Sequence, residues 1–206
     1  MRDRETEVKI RIANVKATRK RLQALGFGLV HRRSLEDNFL FDTPDRALRK
    51  VRSILRLRHY GREWKVTFKG TPATDTLYKS RLELETGIEK SQAIRAIFEA
   101  LGFSPVFRYQ KYRTHYAPQA KNGHRPSSLE VALDETPIGN FIEIEGSRAS
   151  IDRVARQLGY SRADYSTASY GALYLEDCRK RNITPGDMVF KNPAPPTVRK
   201  PKSNPK

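Results

Sequence analysis

The stretch Glu5-Thr6-Glu7-Val8-Lys9-Ile10-Arg11-Ile12 decides the fold, because charged and apolar residues alternate along it. Side chains two residues apart on a β-strand point to the same face of the sheet. The stretch therefore predicts a strand with one charged face and one apolar face. The charged face carries Glu5, Glu7, Lys9 and Arg11, and the apolar face carries Val8, Ile10 and Ile12.

The same Glu-x-Glu pattern returns in two later strand-like runs, Glu83-Leu84-Glu85 and Glu143-Ile144-Glu145. Each run places two carboxylates side by side, where they repel each other. Such pairs are most easily explained where a hard cation lies between them or where basic side chains lie opposite. The pattern therefore indicates chemistry as well as folding.

The composition favours an anionic partner. The 206 residues are enough for one medium domain with a substantial core. Lys and Arg number 40 against 23 Asp and Glu, which gives a net charge of +17. A nucleic acid, an acidic membrane surface or a phosphorylated substrate would suit this charge.

The chain is expected to be a soluble, cytoplasmic protein. Its single cysteine, Cys178, allows no intrachain disulfide, which suits a reducing compartment. The first residues enter a strand without a signal-peptide apolar segment, and no apolar run approaches the length needed to span a bilayer.

Hydrophobic periodicity predicts eight strands and four helices. The composition divides the chain into a domain over 1–181 and a basic, Pro-rich, disordered tail over 182–206. The predicted strands are 3–13, 28–41, 53–60, 62–69, 79–87, 105–116, 127–134 and 139–146. The predicted helices are 15–25, 91–101, 148–158 and one near 167–180.

The first three helices share an ending in which leucine is followed by glycine and an aromatic residue. The glycines are Gly26, Gly102 and Gly159. A glycine just beyond a helix can adopt the left-handed conformation that closes it. A loosely repeated unit of strand, amphipathic helix and glycine stop is therefore expected.

Nearly every predicted strand has one charged and one apolar face. For a single strand, an antiparallel sheet with one face in water explains this alternation. When all strands are taken together, however, the charged face is almost purely carboxylate on some strands and purely basic on others. If the sheet closes, the charged face can line an interior that holds a metal and a polyanion, while helices cover the apolar exterior.

A series of motifs follows in order along the chain: Glu5-Thr-Glu7-Val-Lys9, Asp37-Asn-Phe-Leu-Phe-Asp42-Thr-Pro44, Leu55-Arg56-Leu-Arg58, Thr67-Phe-Lys69-Gly70, Arg81-Leu-Glu83-Leu-Glu85, Lys111-Tyr-Arg113, Leu133-Asp134-Glu135-Thr136 and Phe141-Ile-Glu143-Ile-Glu145. These motifs resemble, in the same order, those of the CYTH superfamily, the triphosphate tunnel metalloenzymes. The resemblance spans about residues 3–175. The superfamily includes class IV adenylyl cyclases, thiamine triphosphatases, tripolyphosphatases and fungal-type RNA triphosphatases.

The resemblance implies an α+β fold, an eight-stranded antiparallel closed β-barrel with helices packed outside, and Mg²⁺ or Mn²⁺ as cofactor. It implies one metal on Glu5, Glu7 and Glu145. A second metal, or a positioned water, would be served by Glu85, Asp134 and Glu143, with Glu83 as a further candidate. The implied phosphate ligands are Lys9, Arg56, Arg58, Lys65, Lys69, Arg81, Lys111 and Arg113, and the implied catalytic residues are Lys9, Glu85, Asp134 and Glu143.

Two reactions suit such a site. Water can attack the terminal phosphorus of tripolyphosphate, thiamine triphosphate or a nucleoside triphosphate. In a class IV adenylyl cyclase, the ribose 3′-hydroxyl of ATP instead attacks the α-phosphorus and gives cyclic AMP and pyrophosphate.

A non-catalytic module that binds nucleic acid or polyphosphate is the alternative from another class, since the chain is strongly basic. Carboxylates on the same faces as the bases argue against a nucleic-acid partner. The oligomeric state stays open between monomer and homodimer.

Overall fold

The computed structural model describes residues 4–74, 77–119 and 129–192. These residues form an α+β fold of eight strands and five helices, with one 3₁₀ turn at Arg162–Asp164. The strands are β1 (Arg4–Ile12), β2 (Phe27–Asp42), β3 (Ile54–Tyr60), β4 (Glu63–Lys69), β5 (Lys79–Ile88), β6 (Ser104–Pro118), β7 (Glu130–Thr136) and β8 (Gly139–Glu145). The helices are α1 (Val15–Ala24), α2 (Ala47–Lys50), α3 (Ser91–Ala100), α4 (Arg148–Gln157) and α5 (Tyr170–Arg181).

The eight strands form a closed antiparallel barrel, in the order β1-β5-β4-β3-β2-β6-β7-β8. The ring closes at β1, which pairs with β5 on one side and with β8 on the other. Glu7 therefore lies opposite Lys79 on β5 and opposite Glu145 on β8. The predicted closed barrel and its helices outside are confirmed.

The main apolar core lies outside the barrel wall. Val8, Ile10 and Ile12 project from the outer face of β1 and are buried with side chains of α1 and α4, such as Leu22 and Ile151. Because the apolar faces of the strands are covered by helices, their charged faces are left to line the interior.

The predicted helix endings are confirmed. Gly26, Gly102 and Gly159 have φ angles of 80°, 85° and 89°. These angles lie in the left-handed region, which glycine adopts without the steric cost of a Cβ atom.

Two elements differ from the sequence-based expectation. The one-turn helix α2 between β2 and β3 was not predicted, because four residues are too short to show a period. The predicted tail begins at Asn182, but residues 187–190 lie against β6. Met188 is fully buried there, its carbonyl accepts a hydrogen bond from Gln110 N (2.8 Å), and its N–H donates to Arg108 O (3.0 Å).

Burial of Met188 against β6 thus orders a stretch whose composition suggested disorder. The rest of the tail, residues 193–206, and the predicted start of β7 at 127–128 lie outside the described residues. No helix within the described ranges is long and apolar enough to cross a membrane.

Candidate active site

The barrel encloses a charged cavity of about 650 Å³. The structure brings all but one of the site residues predicted from the sequence to its wall. The lining includes Glu5, Glu7, Lys9, Arg56, Arg58, Lys65, Lys69, Arg81, Glu83, Glu85, Lys111, Arg113, Glu143 and Glu145. The exception is Asp134, which is fully buried behind Lys111 and Arg113.

Three carboxylates meet where β1 adjoins β8 and β5. Glu7 lies directly opposite Glu145, and Glu5 lies two residues before Glu7 on the same face. Burial, together with the charges of Glu5 and Glu7, raises the pKa of Glu145 to about 8. The negative charge of Glu145 is therefore unfavourable in these surroundings.

This cluster fits the divalent cation that the resemblance implies. Among the described residues Glu5 and Glu7 each form one ion pair, with Lys69 at 3.3 Å and with Lys79 at 2.9 Å. Glu145 has no ion pair with any residue in the described ranges. A hard cation with oxygen ligands would reduce the repulsion among the three carboxylates. Within residues 4–74, 77–119 and 129–192, no three His, Cys, Asp or Glu side chains are grouped so that they could hold a metal ion as they stand.

A wall of cations on the other strands faces this cluster. Arg56 and Arg58 come from β3, and Lys111 and Arg113 come from β6. Further cations of the cavity wall are Lys65, Lys69, Lys79 and Arg81. Arg81 is 6% exposed, and its guanidinium has no hydrogen-bond or ion-pair partner among the described residues. Such a wall suits the oxygens of a polyphosphate.

Lys9 and Glu143 form a buried pair on neighbouring strands, with 2.6 Å between Nζ and Oε1. Burial lowers the pKa of Lys9, but Glu143 outweighs it and the pKa is raised. Glu143 also contacts Arg113, so burial is outweighed and its pKa is held well below the usual range. Both groups are charged at neutral pH, and Glu143 is a weak proton acceptor.

Asp134 fixes the direction of the cations in front of it. Its oxygens accept hydrogen bonds from Arg113 Nε (2.6 Å) and Lys111 Nζ (3.1 Å). Arg113 Nη2 donates a second hydrogen bond from the same guanidinium, and the Tyr170 hydroxyl donates another, of 2.6 Å. Asp134 is surrounded by these donors and does not line the cavity. It therefore holds the side chains of Lys111 and Arg113 in position.

The structure places Glu83 and Glu85 among cations. These cations are not the ones that Asp134 and Glu143 contact. Glu85 Oε2 accepts from Arg58 (2.6 Å) and Thr67 (2.9 Å), while Oε1 accepts from Lys65 (3.0 Å). Glu83 pairs with Lys69 and lies 3.8 Å from Arg56. The middle Glu-x-Glu pair therefore has basic side chains opposite it.

The sequence analysis missed Glu36 of β2, which is fully buried inside the barrel. Its oxygens lie 3.4 Å from Lys111 Nζ, 3.7 Å from Arg58 and 3.8 Å from Arg113. Burial raises the pKa of Glu36, but these three cations outweigh it and lower the pKa. Asn38, two residues further along β2, is buried as well, so Glu36 and Asn38 lie on the inward face of the strand.

Helix α5 closes one side of the cavity with its first turn, where Ser169, Tyr170 and Gly171 join the lining. The Tyr170 ring lies 4.4 Å from Lys9 Nζ and 4.8 Å from Lys111 Nζ. Tyr170 therefore contacts two cations through its ring and Asp134 through its hydroxyl. The sequence marks Ser169 and Tyr170 as residues that either cap the cavity or pack the helix, and both line the cavity.

A family model described as "CYTH domain" matches residues 3–170 of this chain. A relative from Methanocaldococcus jannaschii, named "Putative adenylate cyclase", is 32% identical over 149 residues. The aligned part covers 72% of this chain and 79% of the relative.

Solved structures share the fold at lower identity. A Vibrio parahaemolyticus protein, also named "putative adenylate cyclase", has a TM-score of 0.70 at 21% identity, covering 83% of this chain and 97% of its own. A Hippeastrum protein, named "Putative adenylyl cyclase" and described as having a dominant triphosphatase activity, has a TM-score of 0.60 at 21% identity. The match covers 84% of this chain and 96% of the Hippeastrum chain.

Proposed function

Because the chain belongs to the CYTH domain family, we propose that it hydrolyses the terminal phosphate of a triphosphate bound inside the barrel. Family membership confirms the predicted enzyme class, a triphosphatase or class IV adenylyl cyclase that depends on a divalent metal. Tripolyphosphate, thiamine triphosphate and nucleoside triphosphates are the proposed substrates. Mg²⁺ or Mn²⁺ is the proposed cofactor.

The observation that carries the proposal is that charges of both signs are left without a partner in one cavity. Glu145 lies beside Glu5 and Glu7 and has no ion pair among the described residues, and the guanidinium of Arg81 likewise has none. A protein that only stabilised its fold would pair Glu145 and Arg81 with side chains of opposite charge. A metal and a polyphosphate, bound together, would satisfy both groups.

In this proposal Glu5, Glu7 and Glu145 hold the metal, which supplies charge neutralisation at the phosphate oxygens. The cationic wall holds the phosphate chain in line. Asp134 and Glu143 act through Lys111, Arg113 and Lys9, whose charged ends they orient. Glu83 and Glu85 balance the surrounding cations, since both are paired with them.

Adenylyl cyclisation is the second candidate, because the Methanocaldococcus jannaschii relative is named "Putative adenylate cyclase". The same groups would hold the triphosphate of ATP. The two reactions differ in the attacking group, either water at the terminal phosphorus or the ribose 3′-hydroxyl at the α-phosphorus.

Product analysis tests the proposal. The protein is incubated with tripolyphosphate, thiamine triphosphate or ATP, each with Mg²⁺ or Mn²⁺, and the products are separated. Orthophosphate is the expected product, and cyclic AMP with pyrophosphate would establish the cyclase instead. Absence of turnover together with salt-sensitive DNA or RNA binding would overturn both in favour of a binding module.

The proposed partner is a small-molecule triphosphate, and not a nucleic acid or a membrane. The proposed location is the cytoplasm. The only cysteine, Cys178, is a buried free thiol, which suits a reducing compartment.

A further inference from the structure

A second cavity, of about 870 Å³, lies between the α2 turn and helix α5. We call it the α2–α5 chamber, bounded by Arg46, Arg49 and Arg52 on one side and by Phe107 and Tyr174 on the other. It adjoins the barrel cavity, with which it shares Leu40, Ile54, Lys79, Arg81, Ser169 and Gly171.

Three arginines with no partner line the α2–α5 chamber. Arg49 lies in the one-turn helix α2, Arg46 and Arg52 flank it on either side, and all three line the chamber. None of the three guanidinium groups has a hydrogen bond or an ion pair with any residue that the structure describes. The neighbouring Lys50, by contrast, pairs with Asp45 at 3.0 Å and does not line the chamber.

The backbone that carries these arginines is held in an unfavourable shape. Arg46 and Arg52 have φ angles of 62° and 59°, in the left-handed region that side chains other than glycine and asparagine rarely adopt. The buried carboxylate of Asp42 accepts hydrogen bonds from the N–H groups of Thr43 (2.8 Å), Leu48 (2.9 Å) and Arg49 (3.0 Å). The turn is therefore fixed by Asp42 although it gathers three like charges, an arrangement typical of functional sites.

The opposite wall of the chamber is apolar and aromatic. Phe107 and Tyr174 stack with ring centroids 5.9 Å apart, and Leu55 and Val106 extend this surface. Arg81, 6% exposed and without a partner among the described residues, lies where the chamber meets the barrel cavity. A matching ligand needs both a multiply charged anionic group and a planar or apolar part.

We propose that the α2–α5 chamber binds an organic phosphate, with the phosphate among Arg46, Arg49 and Arg52 and the organic group on Phe107 and Tyr174. Planar guanidinium groups pair with phosphate oxygens through two hydrogen bonds at a time. The basic tail of the chain does not suit the chamber, because residues 193–206 contain four Lys and Arg and no Asp or Glu. The proposal does not depend on which reaction takes place in the barrel.

Calorimetric titration with adenosine 5′-monophosphate, inorganic phosphate and adenosine tests this site. Buffers contain EDTA, and none of these probes has a triphosphate that the barrel could hydrolyse. The monophosphate is expected to bind at least tenfold more tightly than phosphate or adenosine. Equal binding of adenosine would overturn the role of the arginines, and equal binding of phosphate would overturn that of the aromatic wall.

The matched variants are Arg46→Asn/Arg49→Gln/Arg52→Asn and Lys50→Gln. Asparagine is used where φ is positive, because it tolerates that conformation. The triple variant is expected to lose at least tenfold in affinity for the monophosphate and Lys50→Gln to lose none. Unchanged affinity in the triple variant would overturn the proposal, and Arg49→Gln alone replaces it if the triple variant does not fold.

Hydrogen exchange locates the site independently of these variants. Adding the monophosphate is expected to protect amides of residues 46–53, and protection confined to residues 56–69 and 111–113, which carry cations of the barrel wall, would overturn the proposal. Tripolyphosphate turnover by the triple variant, measured separately, reports on the barrel reaction. A failure of the proposed function would therefore not be confused with a failure of this site.

Discussion

The Glu145 carboxyl group faces Glu7 across the β1–β8 pair, and no cation pairs with it in the described residues. We expect Glu145→Gln to lower metal-dependent kcat/KM by about a hundredfold, the scale on which one lost stabilising group acts. Glutamine keeps the shape and removes the charge that a metal needs. Because the raised pKa already leaves the Glu145 carboxyl largely protonated at neutral pH when no metal is bound, the neutral glutamine should not lower the stability of the metal-free protein.

Steady-state kinetics and urea unfolding of the metal-free protein measure the two effects of Glu145→Gln. Glu99→Gln is the control, since Glu99 lies on exposed α3 and, in the part of the chain that the structure describes, pairs only with Arg95, at 2.9 Å. Wild-type turnover in Glu145→Gln would remove Glu145 from the metal site.

His115 gives a prediction about acid stability. Burial, followed by the charge of Arg113, lowers the pKa of His115 from 6.5 to about 3. Between these values the unfolded chain binds a proton that the folded protein does not, so the free energy of unfolding should decrease as the pH falls from 6.5 towards 3. His115→Gln is expected to reduce this pH dependence.

Chemical denaturation at several pH values between 7 and 4 compares His115→Gln with the wild type. His59→Gln controls for the loss of an imidazole, because His59 stacks on Trp64 outside the barrel with centroids 4.6 Å apart. Parallel curves for the wild type and His115→Gln would contradict the assignment.

At the scale of the elements, α5 is joined to the barrel interior by Tyr170. Burial, together with Asp134, raises the pKa of the Tyr170 hydroxyl well above its ordinary value, so it remains a donor to the Asp134 carboxylate. We expect Tyr170→Phe to lower the free energy of unfolding by about 2 kcal/mol, as for a buried hydrogen bond to a charged group.

Urea unfolding measures this loss. Tyr160→Phe is the matched control, because Tyr160 packs against the main core and its hydroxyl has no hydrogen-bond partner among the described residues. Equal stabilities of the two variants would show that the Tyr170 hydrogen bond does not secure α5.

The strands could be predicted from the sequence because an alternation of charged and apolar residues repeats the period of a strand. The run Glu5–Ile12 already separates the interior of β1 from its exterior. Glu36 could not be found in this way, since Glu36 and Asp37 are adjacent and acidic and only the strand's pairing decides which one points inward. The register between β2 and β6 shifts along the pair, so the local sequence pattern does not determine which residues of β2 point inward.

Met188 escaped prediction for a different reason. Its burial depends on β6, which is distant in sequence, while its own neighbourhood is rich in proline and basic residues. The carboxylate cluster shows the same dependence on distant partners. Glu7 and Glu145 are brought together only by closure of the barrel, which the local pattern allowed and the family resemblance implied.

At the scale of the whole molecule, the cavity acts as two half-sites of opposite charge, and each should respond to its own ligand. A ligand that binds only the folded state stabilises it by about 2.7 kcal/mol at a concentration of 100 Kd. Mg²⁺ alone and tripolyphosphate alone, the latter in EDTA, should therefore each raise the Tm of the wild-type protein.

Two variants separate these half-sites. Glu145→Gln should abolish the shift in Tm caused by Mg²⁺ and keep the shift caused by tripolyphosphate, because it changes only the carboxylate cluster. Arg58→Ala should do the reverse, since it removes a cation from the phosphate wall while Lys111 and Arg113 still neutralise Glu36. Thermal unfolding of three proteins under three conditions measures the pattern. If both variants weaken both shifts equally, the charges of the cavity act as one network and the separation into a metal side and a phosphate side is wrong.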